Sequence, residues 1–180
     1  MRGPWVAIAV AVTVFGVLLE SSSVRAGPAK DDQVSIGLGM YAAGYAHADF
    51  GFFHGSGGGA FPPDSLCFTL PVQYRHRVNK WFAAGGEVAV LVWHFKDSGT
   101  MGGVEIGGGI RPYLVPDWLY VDFSLFVGFP LYYGWMPTLG LTIPLGGSVS
   151  LMIENQFPMT YLFGVFLVIY QPVLGVEFAF

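Results

Sequence analysis

The chain is poor in charge. Aspartate, glutamate, lysine and arginine make up 11% of its 180 residues, where an ordinary soluble domain carries roughly a quarter. Basic residues are the scarcer kind, 8 against 12 acidic, for a formal net charge of −4. That leaves no basic footprint for a nucleic acid. Cys67 is the single cysteine, so no intramolecular disulfide can form. Beyond the N-terminus there is no long apolar run, so the 53% apolar content and mean hydropathy of +0.56 do not come from membrane helices. Catalytic signatures are missing too. There is no GxSxG elbow and no HExxH helix. The glycine-rich stretch Gly55–Gly59 has no lysine after it and no strand–helix context, so it is not a phosphate loop. The spacing of the four histidines suggests no metal site, and no cofactor is expected.

What is present is alternation. From Ser65 to His76 the chain runs SLCFTLPVQYRH. Leu66, Phe68, Leu70, Val72 and Tyr74 fall on one face, and Ser65, Cys67, Thr69, Gln73 and Arg75 on the other, the period of a strand. The apolar faces are continuous and aromatic-rich, while most of the few charges lie opposite. That distribution suits a barrel with lipid outside and polar groups inside. The 26 glycines fit tight interior packing and sharp turns. On this reading Cys67 is an inward filler rather than a nucleophile.

The one long apolar run, Trp5 to Leu19, follows Arg2 and precedes the small-residue stretch Ser21 to Ala26. It reads as a secretory signal over residues 1–26 with cleavage after Ala26. The competing reading is an N-terminal membrane anchor, for which the run is short. Residues 27–180 form one domain, and the compartment implied is the bacterial outer membrane.

Eight strands are predicted, the number of the smallest transmembrane barrels. They span about Gln33 to His47, Ser65 to Arg77, Trp81 to Phe95, Met101 to Tyr113, Leu119 to Phe129, Tyr133 to Ile143, Ser148 to Phe157 and Val165 to Phe180. Gly51 to Asp64 reads as a glycine-rich outer loop, and Lys96 to Thr100 as the next one. The fold expected is therefore all-β, an eight-stranded antiparallel transmembrane barrel. Short turns on the periplasmic side and longer outer loops then give each inward residue a depth. Near the periplasmic end the inward set holds Arg75, Glu87, Arg111, Asp122, Gln171 and Glu177, whose opposite charges can pair. In the outer half it holds Ala89, Leu91, Trp93, Gly103, Phe126, Gly128, Met136, Met152, Leu167 and Ile169, interrupted by Glu105 and Glu154. An apolar upper interior above a polar plug is what a hydrocarbon chain needs, with Gly107 and Gly109 leaving room at its base. A plain packed core is the competing reading, and a one-residue slip inverts any strand.

Strand parity points His47 inward at the outer end of the first strand. The next outer loop carries Phe95-Lys96-Asp97-Ser98. A histidine, an acid and a hydroxyl at one mouth are the toolkit of acyl transfer: a base for a hydroxyl proton, an orienting acid, and a donor for the developing oxyanion. Polar residues near loops are also what solvated loops carry.

The pieces His47-Ala48-Asp49-Phe50 and Phe95-Lys96-Asp97-Ser98, each at an outer strand end, resemble the lipid A palmitoyltransferase (PagP-type) family. The similarity runs on through Gly107-Gly108-Gly109, Arg111-Pro112, the stretch from Pro137 to Pro158 and the terminal Phe180. The resemblance implies an eight-stranded outer-membrane barrel with His47, Asp97 and Ser98 as its catalytic set and Gly109 at the floor of a hydrocarbon ruler. Gly107, Leu91, Trp93, Phe126 and Met152 would line the acyl chain, and Pro137 and Pro158 would flank the gaps that admit lipid sideways. The partners implied are a phospholipid acyl donor, lipid A or another lipid acceptor, and the bilayer, with the protein acting as a monomer. Three features differ from the family. Gly27 to Gln33 is too short for its amphipathic N-terminal helix, the first loop is glycine-rich and largely uncharged, and the loop after Ser98 is shorter. A non-enzymatic small barrel, serving as an anchor, an adhesin or a conduit for apolar molecules, is the alternative. A lipid A deacylase is a third reading, without a His-x-Ser motif on a late strand to support it.

Overall fold

A computed structural model describes residues 31–41, 43–50, 53–60, 65–95, 99–129, 131–162 and 165–180. The signal segment, Asp97 and Ser98 lie outside them. Every regular element among the described residues is a strand: β1 (Asp32–Met40), β2 (Ala43–Phe50), β3 (Phe53–Ala60), β4 (Ser65–Asn79), β5 (Phe82–Phe95), β6 (Gly99–Val115), β7 (Leu119–Phe129), β8 (Tyr132–Gly146), β9 (Val149–Gln156), β10 (Met159–Leu162) and β11 (Val165–Ala179).

Three pairs are broken halves of single staves. β1 and β2 run along successive parts of β11. β3 and β4 run along β2 and β1 in turn. β9 and β10 lie in one continuous register against both β8 and β11. The result is an eight-stave antiparallel barrel, closed where β1 meets β11. Phe180 completes the closure, its N–H donating to the Asp32 carbonyl at 2.8 Å while the Asp32 N–H donates back at 3.2 Å. Closure leaves no free edge through the body of the sheet, the condition for crossing a bilayer with strands.

The alternation sorts the side chains as the pattern demands. Leu38, Val88, Ile106, Ile110, Phe123, Leu125, Val127 and Leu174 are exposed on the outer surface. Exposed Trp81 and Trp118 mark the short β4–β5 and β6–β7 turns, and Tyr133, Tyr161, Trp135 and Phe166 form a ring cluster near the other rim. Aromatic girdles of this kind suit the two interfaces of a membrane. The turns are built from the residues they need. Asp117, at φ 67°, follows Pro116 in a turn closed by the Trp118 N–H on the Val115 carbonyl. Gly146 and Gly147, at φ 127° and 59°, turn the chain between β8 and β9.

Two departures from the expected layout concern the outer end. Residues 53–60 are a strand rather than a loop: β2 and β3 form a hairpin paired from Ala43↔Ala60 to Phe50↔Phe53. The β7–β8 connection is tight, and the last β6–β7 pair is Val104↔Phe129. Residues 99–103 of β6 therefore rise above β7, and the rim is uneven.

Candidate functional site

The lower half of the lumen is a polar plug centred on Arg111, whose side chain has no exposure. Its Nε donates to Asp122 Oδ2 at 3.0 Å, Nη2 to Gln73 Oε1 at 2.7 Å and to Glu154 Oε1 at 3.2 Å, and Nη1 to Glu177 Oε2 at 3.3 Å. Arg75 joins from β4, with Nε and Nη2 at 3.0 and 2.9 Å from the same Asp122 oxygen. Glu154 is also reached by Gln73 at 3.2 Å, Gln156 at 2.7 Å and the Tyr120 phenol at 2.7 Å. Arg75, Glu87, Arg111, Asp122, Gln171 and Glu177 are all buried, as the parity predicts. Burying Arg75, Arg111, Asp122 and Glu177 is tolerable because each is paired with an opposite charge.

Two residues assigned to the outer half sit lower. Glu154 belongs to the plug. Met152, fully buried, precedes it on β9 and so lies below it, its methyl against Gly37 and Gly175. It is not a wall of the upper lumen. Barrel strands are tilted and staggered, so counting from strand ends misjudges depth.

The upper tier is apolar and aromatic. Tyr41, Cys67 and Leu91 pack with Trp93 and Ile169, and Phe126, Tyr132 and Met136 also pack with Trp93. Leu91, Trp93 and Phe126 thus share one tier, as expected. Gly107 lies at its base, opposite Glu87 and Phe126. Gly109 does not: it pairs with Gly85 and Ser124, and a Cβ there would stand 2.2 Å from the Phe123 carbonyl oxygen and 2.5 Å from Ser124 Oγ. That space belongs to the plug, so Gly109 lies one layer below the base of the apolar tier.

Toward the outer rim the register of the first stave shifts. Gly39 pairs with Val173 and Ala43 with Tyr170, so three positions of the first stave oppose Gln171 and Pro172. The first stave thus carries one residue more than its partner, the mark of a bulge, beside Tyr41, which turns into the lumen with 6% exposure. Position 47 of β2 pairs with position 166 of β11, and the face expected for the His47 side chain lies outside what the structure describes. Asp97 and Ser98 follow Phe95, which ends β5.

The sheet has a weak seam beside Pro137 and Pro158. The Phe157 N–H donates to the Pro137 carbonyl at 3.0 Å and the Ile169 N–H to the Pro158 carbonyl at 2.9 Å. Neither proline has an N–H with which to return the bond. The β9–β10 stave thus loses one ladder bond on each flank at neighbouring residues.

No feature of the sequence pattern pointed to Tyr132 or Tyr120, yet both organise the lumen. The Tyr132 ring lies over Gly128, where a Cβ would stand 2.0 Å from Cζ, and its phenol donates to Glu105 Oε1 at 2.8 Å. Among the described residues no group of three or more His, Cys, Asp or Glu gathers to hold a metal.

No family model matches the chain, and no curated protein does. Solved structures with some likeness include Ail, the attachment invasion locus protein of Yersinia pestis, at 17% identity and TM-score 0.49 over 83% of this chain and 99% of that one. A de novo designed transmembrane β-barrel is 12% identical, at TM-score 0.47 over 86% of this chain and 100% of that one. The translocator domain of the autotransporter NalP from Neisseria meningitidis is 10% identical, at TM-score 0.33 over 97% and 98%. What those proteins do does not carry over at this level of similarity.

Proposed function

We propose that this barrel is an outer-membrane acyltransferase that moves a palmitoyl-like chain from a phospholipid to lipid A or a related lipid acceptor. The observation that supports this reading best is the two-tier lumen. A salt-bridged plug closes the periplasmic half, and Leu91, Trp93, Phe126, Met136 and Ile169 make an apolar tier above it. A structural barrel has no need to separate its interior so sharply, whereas a hydrocarbon chain needs apolar walls and a polar stop. The seam at Pro137 and Pro158 is a route by which a chain can enter from the membrane.

In this reading the acceptor hydroxyl oxygen attacks the donor ester carbonyl at the level of the headgroups. His47 takes the hydroxyl proton as a general base. Asp97 and Ser98 orient the reacting groups, and the Ser98 hydroxyl donates to the oxyanion. Collapse expels the lysophospholipid alkoxide, which recovers the proton, so the new ester forms as the old one breaks.

A second reading, a non-enzymatic barrel serving as an anchor, adhesin or conduit, draws support from how closely the upper tier is filled. Tyr41, Leu91, Phe126, Tyr132 and Met136 keep 1–6% exposure, the burial of a packed core. One experiment separates the two. The chain is expressed in a bacterium lacking the activity, beside His47→Ala, and lipid A and phospholipids are taken to mass spectrometry. A lipid heavier by one acyl chain, absent with His47→Ala, supports the enzyme. No new species from a folded barrel supports the second reading.

A further inference from the structure

The lumen holds a carboxylate that neither reading uses. Glu105 faces inward on β6, among the aromatics of the upper tier. Its Oε1 accepts from the Tyr132 phenol. The β6–β7 pairing ends at Val104↔Phe129, one pair above Glu105, so Glu105 lies just inside the low side of the rim. It keeps intermediate exposure, and an inward residue owes that exposure to the lumen. A hydrocarbon chain offers a carboxylate nothing.

The lower half shows what this arrangement can hold. There the Tyr120 ring lies over Gly140 and its phenol donates to Glu154. The Arg111 guanidinium sits 3.9 Å from the centre of that ring and bonds Glu154. Tyrosine over glycine, reaching a glutamate, is thus a cation seat. Tyr132, Gly128 and Glu105 repeat the arrangement one tier up, with Trp93 and Phe126 packed beside Tyr132. Aromatic faces with a carboxylate are the chemistry of ammonium recognition.

A second observation points the same way. Glu87, diagonal to Glu105 on β5 (Glu87↔Gly107, Ala89↔Glu105), is 8% exposed, and its Oε2 has no hydrogen-bond partner. Arg75, the guanidinium near it, is committed to Asp122 and to the Gly86 and Tyr74 carbonyls. Asp122, Glu154 and Glu177 take up the two plug arginines. Among the described residues no lysine or arginine makes an ion pair with Glu87 or Glu105.

We propose that Glu105, Tyr132 and Trp93, with Glu87 beneath them, form a lumenal site for a compact organic ammonium group. The site shares Trp93 with the apolar tier, but its binding of an ammonium does not require acyl transfer. The ammonium can come from a free amine or from a phospholipid headgroup, and the test separates them. The folded barrel in octyl glucoside micelles is titrated calorimetrically with choline chloride, ethylammonium chloride and sodium chloride, and with dihexanoyl phosphatidylethanolamine against dihexanoyl phosphatidylglycerol. Glu105→Gln and Tyr132→Phe run beside it, each confirmed as folded by heat-modifiable gel mobility.

Saturable binding of the ammonium salts over sodium, weakened tenfold or more in Glu105→Gln and less in Tyr132→Phe, supports the site. Stronger binding of the ethanolamine lipid than of the free amines, with no binding of the glycerol lipid, identifies a headgroup as the source. Equal response to sodium, no saturable binding in either arm, or full binding by Glu105→Gln overturns the proposal. Binding that emerges only in Lys96→Ala also overturns it, because the chain's own lysine would then fill the seat.

Discussion

Tyr120 and Glu154 stand two staves apart, and the phenol reaches the carboxylate at 2.7 Å because the ring lies flat over Gly140 between them. A Cβ at position 140 would stand 2.1 Å from Tyr120 Cζ. Gly140→Ala is therefore expected to push the ring off the wall and part it from Glu154. Overpacking of this kind costs about 1–3 kcal/mol. Urea unfolding in lipid vesicles, followed by tryptophan fluorescence, measures it. A midpoint equal to wild type would mean that the ring repacks freely and the contact is incidental.

Arg111 is the shared partner of three carboxylates. Arg111→Met should destabilise the barrel by roughly 3–5 kcal/mol, since it strands buried charge. The loss should shrink when Glu154→Gln is added, because the second change removes part of what was stranded. Arg111→Lys should rescue little, as an ammonium cannot reproduce the planar fork. The check is a double-mutant cycle on the same unfolding assay. A coupling indistinguishable from zero would show that the pair acts independently.

The alternation that separates Leu66, Phe68 and Leu70 from Cys67 and Thr69 made the barrel and its outward face legible, because parity is a local property of a strand. The salt-bridged members of the plug were legible for the same reason. Depth was not. Glu154 and Met152 were misplaced because strand stagger depends on how all staves close together, and no single strand records it. The bulge beside Tyr41 was also hidden. It arises where the first stave meets Gln171 and Pro172, which are far away in the chain. Residues 53–60, FHGSGGGA, have almost no strand propensity. They are extended because β2 supplies a partner along their length.

The Pro137–Pro158 seam should be open to repair. Pro158→Ala returns an N–H that can donate to the Ile169 carbonyl. The added bond should stabilise the stave by about 0.5–1.5 kcal/mol. Hydrogen exchange should slow at Phe157 and Met159, and no such change is expected in β4 or β5. If lipid enters through this seam, transfer to an acceptor should slow while His47-dependent chemistry on a short, soluble ester donor is unaffected. Unchanged exchange would show that the seam is held by something other than its missing donor.

The apolar tier fixes where an acyl chain inside the barrel would lie. Leu91 is 1% exposed at the centre of the upper tier, so Leu91→Ala opens room where a chain would lie. If the barrel transfers acyl chains as proposed, the transferred chain should lengthen by about two methylenes, each worth about 0.8 kcal/mol when buried. Gly109→Ala should do something different. Its Cβ meets the Phe123 carbonyl and Ser124 Oγ, both in the plug, so stability falls and chain length holds. Mass spectra of the product lipids, taken with the unfolding midpoints, distinguish the two. Retained activity with the same chain length in Leu91→Ala would mean that the hydrocarbon lies elsewhere, against the outer wall rather than inside the barrel.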